Sequence, residues 1–369
     1  MATGLNHTQG LPSRKRTNRT GQRGGMGNIA RDGSRFGGTW RSPSSGKGRA
    51  RQHDVLAALD LGTNNCRLLV ARPVREGFRV IDAFSRIVRL GEGVAGSGQL
   101  SEEAIERTID ALRVCCGKMR RRGVTRFRAV ATEACRKADN GADFLLLAAG
   151  EAGIELEVIT PKEEAQLAFA GCLPLLDPEI DGALVFDIGG GSTELAWTPR
   201  SGSDGREQIE VFSVPLGVVN LAEKYGGDSY GGGVYERMVE AVVEQLLPFD
   251  QEFQISKSIE RGELQMVGTS GTVTTLGGLK LDLQRYVRDQ VDGMFLDVVE
   301  TLDMGRELAS MDFNERASQP CIGKERADLV VAGCAILEAI CRIWGVERLR
   351  VADRGVREGI LLGLLNGES

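Results

Sequence analysis

Histidine is almost missing from this chain: of 369 residues only His7 and His53 are histidine, and both precede the first apolar segment. That removes a Ser-His-Asp triad, a Cys-His pair and a His-rich zinc site from the body of the protein. A general base there has to be a carboxylate, and a metal has to be a hard, oxygen-liganded ion such as Mg²⁺. No apolar run approaches the roughly 20 residues that a membrane helix needs. The N-terminus carries charge without an apolar run behind it, so no cleaved secretory signal and no membrane partner are expected. The eight cysteines form no Cys-x-x-Cys pair and sit mostly inside apolar segments. Buried thiols in a reducing cytoplasm are the expectation.

Acidic residues are scarce in one region only. Residues 1–53 hold eleven Lys/Arg against Asp32 alone, a net of +10, whereas the remainder is net −15. This first stretch is rich in Gly, Arg, Ser, Thr and Asn and has almost no apolar periodicity. It cannot bury enough surface to offset the entropy of ordering, so a disordered basic tail is expected. Arg-Gly-Gly at 23–25 and Arg-Phe-Gly-Gly at 35–38, with Trp40, leave two readings open. One is weak contact with RNA, the other a solubilising extension.

From Val55 onward the pattern alternates. Strands are expected at 55–60, 66–72, 78–90, 126–132 and 155–160, with a glycine-rich loop from Gly91 to Gly98 and helices from Ser101 and about Ala142. Thr160-Pro161-Lys162-Glu163 has the capping-box pattern with proline at the first helical position, which starts another helix. The theme then repeats: strands at 183–187, 194–198, 209–214 and 264–268, helices near 232–247, 297–310 and 326–344, a strand at 347–352 and a closing helix from Val356. The chain is long enough for two domains, expected at 54–170 and 171–354, with the closing helix 355–369 packing on the first.

Glycine, by contrast, is concentrated where strands end. Val-Phe-Asp-Ile-Gly-Gly-Gly-Ser-Thr-Glu (185–194) has an earlier partner in Leu-Asp-Leu-Gly-Thr-Asn (59–64). A strand-end aspartate puts a carboxylate where a metal or a nucleophilic water can sit. Glycines that turn with φ > 0 would bring backbone N–H groups close to an anion. Asp60 and Asp187 lie 127 residues apart, which suits one duplicated half-domain, and the two turns would face each other across a cleft. Asp187 and Glu194 would face a metal, and Gly189, Gly190, Gly191, Ser192 and Thr193 a phosphate. Gly62, Thr63 and Asn64 form the matching turn, although Asp60 is also readable as a plain strand-end cap.

Other candidates are weaker on their own. Arg136 follows a strand, where ligands of α/β sheets usually bind. Glu163 serves the capping box, while Glu164 points elsewhere and is free to deprotonate or orient a water. Gly-Thr-Ser-Gly-Thr (268–272) puts Ser270, Gly271 and Thr272 at a helix start, equally readable as an anion site or as a tidy cap.

Taken together these segments resemble the exopolyphosphatase / guanosine pentaphosphate phosphohydrolase (Ppx/GppA) family. The resemblance rests on 60–64, Thr-Glu-Ala-Cys-Arg (132–136), Lys-Glu-Glu-Ala-Gln-Leu-Ala-Phe-Ala-Gly (162–171), 187–194, 268–272 and Arg-Gly-Val-Arg-Glu-Gly (354–359). It implies two ribonuclease H-like domains of the actin, sugar kinase and chaperone ATPase superfamily around a cleft. It further implies Glu164 as catalytic base, phosphate contacts from both glycine turns and Arg136, and Mg²⁺ (or Mn²⁺) near Asp60, Asp187 and Glu194. The implied reaction releases orthophosphate from polyphosphate or from guanosine pentaphosphate, in the cytoplasm, with a homodimer as the plausible assembly. The sequence resembles the short, two-domain members. It differs where family members often carry a serine and no arginine before the last Arg-Glu-Gly: Ala352 and Arg354 stand there, and both are expected to bear on substrate preference. A small-molecule kinase of the same superfamily, or an alarmone sensor with an RNA-binding tail, are the alternatives.

Overall fold

The computed structural model describes residues 49–367 except 181, 200–208, 227–229 and 231. The expected disorder and RNA contact of the tail therefore fall, for residues 1–48, outside the described residues. Ala50, inside the stretch expected to be tail, donates its N–H to Leu365 O at 2.9 Å and packs beside the closing helix.

Two mixed sheets form the framework. The first takes β1 (Leu56–Leu61), β2 (Asn65–Pro73), β3 (Phe78–Ile87), β4 (Arg126–Ala131) and β5 (Glu157–Val158) in the order β3-β2-β1-β4-β5. The second takes β6 (Gly182–Ile188), β7 (Thr193–Thr198), β8 (Glu210–Val214), β9 (Leu264–Thr269), β10 (Phe295–Asp297) and β11 (Arg348–Ala352) in the order β10-β11-β9-β6-β7-β8. In each, an antiparallel three-strand meander is followed by parallel partners on the other side of its first strand. The arrangement is the same one twice, as the spacing of Asp60 and Asp187 predicts, with β10 added at one edge. The chain has the α/β fold of two ribonuclease H-like halves.

The two hairpins also share a register. Asp60 stands directly opposite Arg67 on β1–β2, and Asp187 directly opposite Glu194 on β6–β7. Directly opposed residues share a face of the sheet, so each strand-end aspartate has a predetermined partner position.

Two helices separate the sheets. The Pro161–Cys172 helix starts at Thr160, whose Oγ1 accepts from Glu163 N at 3.2 Å. The expected capping box is only half made, because the Glu163 carboxylate pairs with Arg128 at 2.5 Å instead. One side of this helix, with Ala168, joins Val356, Ile360, Leu361 and Leu364 of the Val356–Asn366 helix to cover Leu56, Ala58, Leu69 and Val130 of the first sheet. Its other side, with Phe169 and Cys172, packs on Ala183, Val185, Ala196 and Val267 of the second. The expected boundary at 170/171 thus falls inside a helix that serves both halves.

Several elements differ from the sequence reading. Residues 133–137 are a short helix, β5 shrinks to two residues, and a helix at Val218–Tyr225 and strand β10 were not anticipated. The 326–344 helix begins later, at Val330. All eight cysteines are buried and free. Among the described residues no helix is long and apolar enough to cross a membrane.

Candidate active site

The ends of β1 and β6 and the start of the Gly271–Lys280 helix open onto one cavity with about 120 Å³ of room for water-sized occupants. Its wall takes Asp60, Gly62, Thr63 and Asn64 from the first half, and Asp187, Gly189, Gly190, Gly191, Ser192, Ser270, Gly271 and Thr272 from the second. Glu164 also reaches it. Three turns that are far apart in sequence are therefore brought together as expected.

The reason for the glycines is not the expected one. None of Gly62, Gly189, Gly190 or Gly191 has a left-handed φ. At Gly190 and Gly191 the two halves press together, whereas Gly189 is confined by Ser192 O of its own turn and Gly62 meets nothing nearer than Asn65 O at 3.7 Å. A Cβ on Gly190 would lie 2.8 Å from Thr63 Cβ, and one on Gly191 would lie 2.8 Å from Glu133 Cγ. The turn has no room for side chains, which is a constraint of close approach rather than of backbone angle.

The same turns have their carbonyls tied back. Gly189 O accepts from Val218 N at 3.0 Å, Gly190 O from Val219 N at 2.8 Å and Gly191 O from Asn220 Nδ2 at 2.6 Å. In the first half Thr63 O accepts from Gly91 N, and Asn64 O from both Val88 N and Arg89 N. The N–H groups of Gly190, Gly191, Thr63 and Asn64 have no acceptor among the described residues. Loops with occupied carbonyls and free amides are anion cradles. Asn64 Oδ1 is likewise buried without a partner among the described residues.

Glu164 is a carboxylate in the cavity wall, expected from the sequence to be the base. It lies 12% exposed at the first turn of its helix, and Arg136 Nη1 donates to its Oε2 at 2.9 Å. Burial pushes its carboxyl well above the ordinary glutamate range, repulsion from Glu194 adds to this, and Arg136 opposes it. A buried carboxylate whose proton affinity is raised in this way is suited to accepting a proton from water. Arg136 itself is spoken for, bonding Glu133 Oε2, Glu164 and Ile159 O. It holds the Glu164 carboxylate and does not line this cavity.

Because those charges set the Glu164 proton affinity, the acid limb of a pH–rate profile has a predictable response. Arg136→Gln should move the limb to higher pH, since a stabilising cation is lost. Glu194→Gln should move it to lower pH, since a repelling anion is lost. Limbs that coincide with the parent in kcat/KM measured across pH 5–9 would refute Glu164 as the titrating group.

Asp60 and Asp187 line the cavity without a hydrogen bond or ion pair among the described residues. Burial pushes Asp187 up to about 7, with Arg67 opposing and Asp60 adding. Burial raises Asp60 too, against Arg67 and Arg357. Two unpartnered, mutually repelling carboxylates are hard oxygen donors suited to Mg²⁺. Among the described residues no three His, Cys, Asp or Glu side chains group as a metal site. The other expected ligand stands further back. Glu194 is 2% exposed, pushed up to about 7 by burial, and its Oε1 accepts from Ser192 Oγ at 2.6 Å and Ser213 Oγ at 3.1 Å. The Ser192 hydroxyl is thereby engaged, leaving that residue's backbone N–H for an anion. Thr193 is also displaced from its expected role, since its hydroxyl donates to Leu216 O at 2.8 Å.

Two arginines in the wall escaped the sequence reading. Arg67 extends across from β2, and a Cβ on Gly271 would stand 4.0 Å from its Nη2. Its position opposite Asp60 was the signal that could have found it. Arg326, in the turn before the Val330–Ile343 helix, donates to Thr275 Oγ1 at 3.3 Å and lines the cavity. Ala352 and Arg354, singled out as departures, do not reach the site. Ala352 is buried against the Pro161–Cys172 helix, and Arg354 pairs with Asp292 at 2.5 Å.

Known proteins bear out this architecture. The crystal structure of the Aquifex aeolicus Ppx/GppA family member superposes with a TM-score of 0.68 at 30% identity, covering 84% of this chain and 97% of the other. An exopolyphosphatase-like protein gives 0.75 at 28% identity over 84% and 98%. An exopolyphosphatase from Cytophaga hutchinsonii gives 0.76 at 24% identity over 86% and 99%, a likeness of fold. The sequence profile of the Ppx/GppA phosphatase family matches residues 69–368. With the turns, the carboxylate and the profile in agreement, the chain belongs to the Ppx/GppA phosphatase family.

Proposed function

We propose that this protein hydrolyses the terminal phosphoanhydride bond of inorganic polyphosphate or of guanosine pentaphosphate, releasing orthophosphate. The observation that carries the reading is that turns from both halves, whose amides have no acceptor among the described residues, line one cavity that also holds Glu164, Arg67 and Arg326. Membership of a phosphatase family supports hydrolysis of this bond type.

In this mechanism the amides of the Thr63–Asn64 and Gly190–Ser192 turns hold phosphate oxygens from opposite sides. Arg67 and Arg326 offset the charge of the chain. Glu164, fixed by Arg136, takes a proton from the water that attacks the terminal phosphorus in line with the leaving oxygen. Asp60 and Asp187 would hold Mg²⁺ or Mn²⁺, with Glu194 behind them, and such an ion supplies neutralisation of charge on the bridging and leaving oxygens. Everything else required is positioning.

Orthophosphate release from polyphosphate and from guanosine pentaphosphate, followed side by side without an acceptor, tests this. Release from at least one substrate is expected, with loss of activity on chelation by EDTA and recovery with Mg²⁺. Strict dependence on an added alcohol or acid would favour a kinase and end the hydrolase reading; activity that survives EDTA would remove the metal from it.

A further inference from the structure

A second contact between the halves lies beside the cavity and uses none of its wall groups. Arg89 reaches from the loop after β3 to the turn before the Val330–Ile343 helix. Its Nη1 donates to Asp328 Oδ2 at 2.8 Å, its Nη2 to Asp328 Oδ1 at 3.1 Å and to Glu325 O at 3.2 Å. Close by, Gly93 N donates to Glu223 Oε1 at 2.8 Å, again from one half to the other. The pair is partly exposed, 30% and 22% by side chain, so as a stabilising device alone it is worth little.

Yet the chain holds Arg89 at a cost. Its φ is +49°, in the left-handed region that residues with a Cβ rarely adopt. Such outliers persist where surrounding structure over-determines them, and they cluster at working sites. Here the backbone N–H of Arg89 donates to Asn64 O at 3.1 Å, inside the phosphate turn of the first half. Its guanidinium meanwhile grips the segment that carries Arg326, two residues before Asp328. That segment has further ties within the second half: Tyr230 OH donates to Asp328 O at 3.0 Å and Arg316 Nε to Ala327 O at 2.8 Å.

We infer that Arg89 is a positioning residue that sets the span between the Thr63–Asn64 turn and the Arg326 guanidinium, so that both meet one phosphate chain. Asp328 is its counterpart. The inference rests on the cavity being the phosphate site proposed above. One residue thus ties a backbone cradle in one half to a side-chain cation in the other, without touching substrate.

The test is a double-mutant cycle between Arg89→Gln and Arg326→Gln, read as the dissociation constant for inorganic triphosphate by calorimetry on the full chain in a Glu164→Gln background. Arg89→Gln should weaken binding about tenfold or more, and should cost less than about twofold further once Arg326 is already changed. The charge-swapped pair Arg89→Asp with Asp328→Arg should recover most of the loss, which an unfolded or merely loosened protein would not do. Equal cost of Arg89→Gln in both backgrounds, or no cost at all, overturns the inference. The two readings fail separately. Coupled binding in a protein whose parent releases no orthophosphate would end the hydrolase reading and keep the positioning one. Normal release with an additive cycle would do the reverse.

Discussion

Glu164→Gln is expected to lower turnover by at least about 100-fold, within the range for loss of a general base, while phosphate binding persists. The substitution keeps the shape of the side chain and one acceptor oxygen. Arg136 keeps Glu133 and Ile159 O as partners, so no cation is abandoned in a buried place. The glycine turns proposed to hold phosphate take none of their hydrogen bonds from Glu164. What disappears is the capacity to accept a proton, together with one negative charge in the cavity proposed to take a phosphate chain. Binding should therefore be equal or tighter as kcat collapses. Steady-state release of orthophosphate set beside calorimetric titration with inorganic triphosphate separates the two effects. A variant with near-normal turnover would remove Glu164 as the base, and a lost binding signal would make it a structural residue.

The second large effect concerns folding. Gly171 and Gly359 are where the Pro161–Cys172 and Val356–Asn366 helices cross. A Cβ on Gly171 would lie 2.1 Å from Gly355 O, and one on Gly359 would lie 2.1 Å from Leu167 O. Both obstacles are backbone, so neither can move aside as a side-chain tip would. Alanine at either position forces the helices apart beneath both sheets. A loss of about 3 kcal/mol is expected, the upper end for overpacking, visible as a fall of several degrees in Tm. An alanine variant that melts with the parent would show that the helix pair tolerates a wider spacing. Because Glu164 lies on one of these helices, a tolerated but shifted pair should show its defect in kcat rather than in KM.

The legible part of this protein was periodic or repeated. Strand alternation and the recurrence of an aspartate–glycine turn 127 residues on led to the duplicated α/β fold. Thr160 and Pro161 marked the helix start that presents Glu164. What escaped was short or non-local. The Glu133–Lys137 helix has no side-chain cap and only five residues. The Val218–Tyr225 helix opens at Gly217, and its start is secured by Asn220 from inside the helix rather than by a Ser, Thr or Asp ahead of it. Arg326 and Asp328 acquire their roles from residues more than 200 positions away in the case of Arg89, which no local pattern announces. The expected positive φ is absent from the glycines of both turns, and at Gly190 and Gly191 it is the opposing half that leaves no room for a side chain.

The helix pair between the sheets also orders events during synthesis. Leu56, Ala58, Leu69 and Val130 are made long before Val356, Ile360, Leu361 and Leu364, which supply part of their cover. Domains generally form in the order in which they are made; here the N-terminal half has one sheet face covered only by Ile159, Leu167 and Ala168 until the chain has passed residue 364. The second half, whose sheet draws on residues 182–352, can close first. A nascent chain stalled before the last helix would expose a sticky β-surface on the half that was translated earliest, and the helix that relieves it is the same one that fixes the spacing beneath Glu164.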